Sequence, residues 1–168
     1  MVHSVELLFD LDTEAAIRRA WDGLRAAGVS AQSPAARPHV TLVVASGMDH
    51  AVAEALSVLL PRFPLRCRVG SALVFGRSAA VLARMIVPSA ELLDVHAEAC
   101  RLAADHLTSE PMPHTQPGDW TPHVTLGRRV SAERLAAALA VAGRPAEIVG
   151  SFVGLRHWDG DNHTEYLI

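Results

Sequence analysis

Val5, Leu7 and Phe9 recur at every second position, and this period of two predicts a strand over 3–9. The spacing then lengthens. Ala16, Ala20, Leu24 and Ala27, with Ile17 and Trp21 beside them, form a helical stripe that Asp12 or Thr13 can cap and Gly28 ends. Residues 29–36 carry no periodicity and read as a loop, and a strand follows over about 37–44. Asp49 caps a helix over about 50–60, which Pro61 and Pro64 close. Residues 65–75 read as a strand bulged near Gly70, Gly76-Arg77-Ser78 as a turn, and 79–87 as the returning strand of a hairpin. Ser89 caps a longer helix over about 90–107. Residues 108–120 hold three prolines and no periodicity, and long irregular segments inside a compact domain are often functional. A further strand runs over about 122–129, and Ser131 caps a helix to about 142. Strands over 146–158 and 163–168 flank the turn Asp159-Gly160-Asp161-Asn162.

Two of these strands share one pentapeptide. Pro38-His39-Val40-Thr41-Leu42 and Pro122-His123-Val124-Thr125-Leu126 are identical, half a chain length apart in a chain of 168 residues. Strand alternation sets His39 and Thr41 on one face and Val40 and Leu42 on the other, and does the same for the second copy. The order helix, loop, His strand, helix, strand, strand runs over 13–87 and again over about 89–168, leaving the strand at 3–9 unmatched. A period of about 80 is too long for a solenoid. Two copies of one unit predict packing about a pseudo-two-fold axis, with both polar faces on one cleft. The whole chain, 1–168, then forms one two-lobed domain.

Composition narrows the chemistry. Half of the residues are apolar and 20% are charged, which fits a folded domain and excludes disorder. No apolar run reaches the roughly 18 residues of a membrane span, and no basic segment precedes an apolar one at the start, so a cytoplasmic protein is expected. Cys67 and Cys100 form neither a disulfide framework nor a CxxC pair and read as reduced, buried thiols. The net charge of −3 argues against a grip on long duplex nucleic acid. All 15 basic residues are arginine. Without lysine there is no nucleotidyl-lysine or Schiff-base intermediate and no Walker phosphate loop. Arginine suits bidentate phosphate contacts.

Two histidines and two threonines on facing strands suit attack on a phosphodiester. One imidazole removes the nucleophile's proton and the other protonates the departing oxygen, each worth roughly 10²–10⁴-fold in rate. The threonine hydroxyls can donate to the non-bridging oxygens. No metal is required, and no Cys, His or carboxylate at a metal-ligand spacing sits beside either motif. The second motif continues Gly127-Arg128-Arg129. Plain alternation puts Arg129 on the face of His123, whereas a bulge at Gly127 puts Arg128 there.

Paired PHVTL segments about 80 residues apart, in a chain of this size, resemble the 2H phosphoesterase superfamily, above all its bacterial 2′–5′ RNA ligase and 2′,3′-cyclic phosphodiesterase branch. The resemblance covers nearly the whole chain. It implies an α+β fold of two pseudo-symmetric antiparallel sheet lobes with outer helices and a central cleft. It implies His39 and His123 as acid and base, with His39 the better candidate for the acid, and Thr41 and Thr125 as phosphate-binding groups. In that branch the second motif often ends His-x-Thr-Leu-Ala/Gly-Arg, which favours Arg128 over Arg129. The substrate expected is a nucleotide or RNA-terminal cyclic phosphate, hydrolysed by a monomer without cofactor or membrane partner. An ATP-independent 2′–5′ RNA ligase and a non-catalytic nucleotide binder are the rival readings. Trp120, His157 and Trp158 are candidates to stack a base, and His114 in the long loop to line the cleft. Trp21 and Phe75 read as core, His96 and His106 as helix residues without a role, and His3, His50 and His163 as exposed.

Overall fold

The computed structural model of the chain describes residues 1–76 and 79–168. In order, its elements are β1 (His3–Phe9), α1 (Leu11–Ala26), β2 (His39–Ala45), α2 (Val52–Leu56), β3 (Leu65–Phe75), β4 (Ala80–Ile86), α3 (Ala90–Ala103), β5 (His123–Val130), α4 (Leu135–Ala142), β6 (Ile148–Asp159) and β7 (Thr164–Leu167). Short 3-10 turns extend α2 over Ser57–Arg62 and α3 over Ala104–His106, and one precedes α4 at Ala132–Arg134. The predicted strands are all present. The turn expected at Gly76-Arg77-Ser78 falls in part on Arg77 and Ser78, outside the described residues.

Several helix ends differ from expectation. Asp10, not Asp12 or Thr13, caps α1: its carboxylate accepts from the Thr13 amide at 2.8 Å and from the Ser151 amide at 2.6 Å. Burial would raise the Asp10 carboxyl, but these amide donors hold it below its ordinary value. Ser131 makes no side-chain cap bond, because a 3-10 turn rather than an α-turn follows it. The helix expected over 50–60 is α-helical only to Leu56, since Pro61 has no N–H for the ladder and the backbone tightens ahead of it. Ser89 caps α3 as expected, accepting from the Leu92 amide at 3.1 Å.

All seven strands belong to one antiparallel sheet in the order β2-β1-β6-β3-β4-β5, with β7 paired to β6. β6 is long enough to serve two neighbours on one edge: Ile148–Phe152 pair with β3, and Arg156–Asp159 pair with β7. Exchanging β2 with β5, β1 with β4 and β6 with β3 leaves the sheet order unchanged. The same exchange swaps α1 with α3 and α2 with α4, and the helix pairs α1–α4 and α2–α3 are preserved. β1 therefore has a counterpart, β4, and β7 is the strand without one. The two His strands are the ends of the sheet, and the sheet bends until they pack against each other. Among the described residues no helix is long and apolar enough to cross a membrane.

Burial along the His strands follows the alternation. Val40, Leu42, Val124 and Leu126 are buried, and the His and Thr beside each of them are half-buried on the other face. Each of these apolar anchors contributes about 1.5–3 kcal/mol by leaving water. The loop after α1 lies directly on β5, where the Gln32 amide donates to the Leu126 carbonyl at 2.9 Å. A Cβ on Gly127 would sit 2.2 Å from the Ser30 carbonyl oxygen, so only glycine admits this approach.

Candidate active site

One cleft of about 620 Å³ runs between the two His strands. His39 and Thr41 line one wall and His123, Thr125 and Arg128 the other. The two imidazoles are held alike. Nδ1 of His39 is 2.8 Å from the Arg37 carbonyl, and Nδ1 of His123 is 2.8 Å from the Thr121 carbonyl. A carbonyl can only accept, so Nδ1 carries the proton in both rings and Nε2 is left for the cleft. The proline between each His and that carbonyl favours the arrangement, because it fixes its own φ and keeps the residue before it extended. The backbone behind each threonine is pinned as well. Trp120 Nε1 donates to the Thr41 carbonyl at 3.1 Å, and Trp21 Nε1 donates to the Thr125 carbonyl at 3.2 Å.

The environments of the two rings differ. Burial pushes His123 below the ordinary imidazole value of 6.5; the Thr121 carbonyl opposes this, and the charges of Arg128 and His39 lower it further. The Phe75 ring lies 4.8 Å from the His123 ring, centroid to centroid. His39 instead faces carboxylate: Glu6 Oε1 is 3.4 Å from its Nε2. Glu6 is 3% exposed. It accepts from Ser4 Oγ at 2.6 Å and from Nε and Nη2 of Arg156 at 2.7 and 2.6 Å. Arg156 also pairs with Glu165 at 2.7 Å.

The choice between Arg128 and Arg129 turns on a bulge. β5 slips against β4 on both sides of Gly127, between the pairs Ala83↔Thr125 and Leu82↔Gly127 and again between Leu82↔Gly127 and Ala80↔Val130, and Arg129 takes a φ of 58°. Arg128 therefore lines the cleft and Arg129 does not. Trp120 and Trp158 also line it, although one face of Trp120 is stacked on His96 at 3.8 Å. His157 does not. It is fully buried, because alternation along β6 sends it to the face opposite Arg156 and Trp158. Trp21 is buried in the core as expected and also borders the cleft, whereas Phe75, expected in the core, lines the cleft beside His123, and His114, Thr115 and Asp119 of the long loop line it too. His3, expected exposed, is 7% exposed beside His157. Glu6 and Arg156 carry no sequence signal as a pair, since 150 positions separate them. The only hint is a carboxylate inside the apolar run of β1. Among the described residues no three His, Cys, Asp or Glu side chains are grouped to hold a metal ion.

Comparison with known proteins bears on the family and the fold. The model of the 2′–5′ RNA ligase superfamily matches residues 13–162. No curated protein sequence matches the chain. Among solved structures, Escherichia coli LigT complexed with 3′-AMP is similar at 17% identity and a TM-score of 0.58, covering 99% of this chain and 92% of its own. Kluyveromyces marxianus Usb1 with uridine monophosphate is similar at 14% identity and a TM-score of 0.53, covering 99% and 96%. The PDE domain of MHV ns2 is similar at 11% identity and a TM-score of 0.55, covering 99% and 98%.

Proposed function

The chain belongs to the 2′–5′ RNA ligase superfamily, and on that premise we propose that it hydrolyses 2′,3′-cyclic phosphates or related cyclic phosphodiesters by two-histidine acid–base catalysis. The main support is the matched pair of imidazoles, each with Nδ1 tied to a carbonyl and Nε2 left for one cleft. His123, whose proton affinity burial and Arg128 lower, takes the proton from an attacking water. The water oxygen bonds to phosphorus, the bond from phosphorus to O3′ breaks, and Nε2 of His39 delivers a proton to O3′. The product is a 2′-monoester. Thr41 and Thr125 donate to the non-bridging oxygens, and Arg128 balances their charge. Acid and base on opposite sides of phosphorus supply both proton transfers without a metal.

The cleft volume of about 620 Å³ lies within the ~300–1,000 Å³ usual for small-molecule sites. Two of the similar structures hold nucleoside monophosphates, and a nucleotide with its cyclic phosphate between the histidines is the substrate this supports. Trp158 and the free face of Trp120 are the surfaces on which a base would stack.

The test is a panel of 2′,3′-cyclic mononucleotides incubated with the protein in EDTA, with the products separated as 2′- or 3′-phosphates. Turnover to a 2′-phosphate is expected. No turnover of any member would overturn the proposal. Joining of RNA ends without ATP, in the absence of hydrolysis, would favour the ligase reading instead.

A further inference from the structure

We infer that His96, a buried histidine of α3 outside both His motifs, is a positioning residue that holds the Trp120 ring as the platform for the substrate's nucleobase. The inference rests on the base placement proposed above. Its ground is a departure from the pseudo-two-fold frame. Counted from the capping residues Asp10 and Ser89, Trp21 of α1 corresponds to Cys100 of α3, and Ile17 corresponds to His96. Trp21 reaches from its helix to the Thr125 carbonyl of β5. The frame assigns the matching bond, to the Thr41 carbonyl of β2, to the position of Cys100. Cys100 does not make it; its Sγ faces the next carbonyl, that of Leu42, at 4.0 Å. Trp120 makes it instead, entering from the long loop with Nε1 3.1 Å from the Thr41 carbonyl. The two indoles thus make the same bond from different places. Trp21 is 2% exposed, whereas Trp120 keeps one face on the cleft.

His96 makes that placement firm. It is 1% exposed, and its ring lies 3.8 Å from the Trp120 ring with 8° between the planes, so it covers the inner face of the indole. Its Nε2 is 2.9 Å from the Thr115 carbonyl, which can only accept, so Nε2 donates. No helix or strand covers residues 112–122. His96 therefore ties two points of this irregular, cleft-lining segment, Thr115 and Trp120, to α3. An aliphatic residue such as Ile17 would fill the space but offers neither a flat face nor a donor. A platform fixed before the ligand arrives spares the cost of ordering it on binding. A base on the outer face of Trp120 completes a stack of three rings: base, indole and imidazole. The other candidate surface is already occupied in part, since the Arg156 guanidinium lies over the Trp158 ring at 5.4 Å.

The experiment measures the affinity of the wild type, His96→Ala, His96→Phe and His96→Gln for 2′-AMP and for ribose 5-phosphate, a base-free probe, by calorimetric titration, with thermal unfolding as the check on folding. One base stacked on an aromatic ring is worth roughly 10–100-fold in affinity, and the wild type should prefer 2′-AMP by about that factor. His96→Ala should weaken 2′-AMP about 10-fold and ribose 5-phosphate less than about twofold. His96→Phe keeps a flat ring and should recover most of the affinity for 2′-AMP. His96→Gln keeps a donor for Thr115 without the ring and should not. A wild type with no preference for 2′-AMP overturns the inference. So does a folded His96→Ala that binds 2′-AMP as the wild type does, since the base then lies elsewhere. Equal weakening of both ligands means a structural role only and also overturns it. If His96→Ala does not fold, His96→Gln binding 2′-AMP as tightly as His96→Phe overturns it. Failure of the acid–base reading looks different: a wild type that binds 2′-AMP with the expected preference, loses it in His96→Ala, and opens no cyclic nucleotide.

Discussion

At the scale of single residues, the site depends on which atom of each side chain is already occupied. The carbonyl two residues before each histidine takes Nδ1, so both rings offer the same nitrogen to the cleft. What separates them is their neighbours: the Glu6–Arg156 pair beside His39, Arg128 beside His123. Arg128→Ala should lower kcat/KM about 10–100-fold, the worth of one charge-assisted hydrogen bond of about 1.5–3 kcal/mol. It should also shift the acid limb of the rate profile. Arg128 depresses the proton affinity of His123, so removing it raises that affinity, and the base becomes protonated at higher pH. The acid limb therefore moves up. Arg129→Ala, on the far side of the bulge, should leave both the rate and the profile within about twofold of wild type. Steady-state kinetics over pH measures both variants. The histidines and threonines were legible from the repeated pentapeptide. Arg128 was not legible from alternation alone, because the bulge that turns it inward is a property of the β4–β5 register, and Gly127 was its only local sign.

At the scale of elements, the second His strand is positioned by a loop that lies on it. The Ser30 carbonyl stands where a Gly127 side chain would begin. Gly127→Ala must push β5 and the loop apart, at a cost of about 1–3 kcal/mol. The expected result is a lower unfolding temperature together with reduced turnover, since Thr125 and Arg128 ride on the displaced strand. Calorimetry and kinetics on the same preparation check it. An unchanged melting temperature would mean that the loop is not held this way. The apolar anchors of both His strands were readable, because a period of two survives wherever one face is buried. The sequence points to Asp12 or Thr13 as the cap of α1, and the Thr13 and Ser151 amides select Asp10 instead, the second from a strand 141 positions away. Phe75 at the end of β3 reads as core from sequence, since an aromatic at a strand end looks the same whether it meets the interior or a cleft.

At the scale of the whole molecule, the sheet order reads the same from either end under the exchange of halves, and the His strands are its two ends. Bending that sheet brings the ends together and creates the cleft. The order of elements along the chain predicted this meeting, but not which strand lacks a partner. β1 looked unmatched in sequence, yet it holds the place beside β2 that β4 holds beside β5. Pairings between distant strands decide such matters. They are also why the Glu6–Arg156 contact stayed hidden in the sequence. A cleft with one histidine on each wall suits a reaction that takes a proton on one side of phosphorus and returns one on the other. The most direct measurement is the rate of 2′,3′-cyclic AMP hydrolysis by His39→Ala and His123→Ala, each checked for native unfolding. Loss of about 10²–10⁴-fold in both, with folding retained, is the predicted result. Full activity in either folded variant would contradict the two-histidine account.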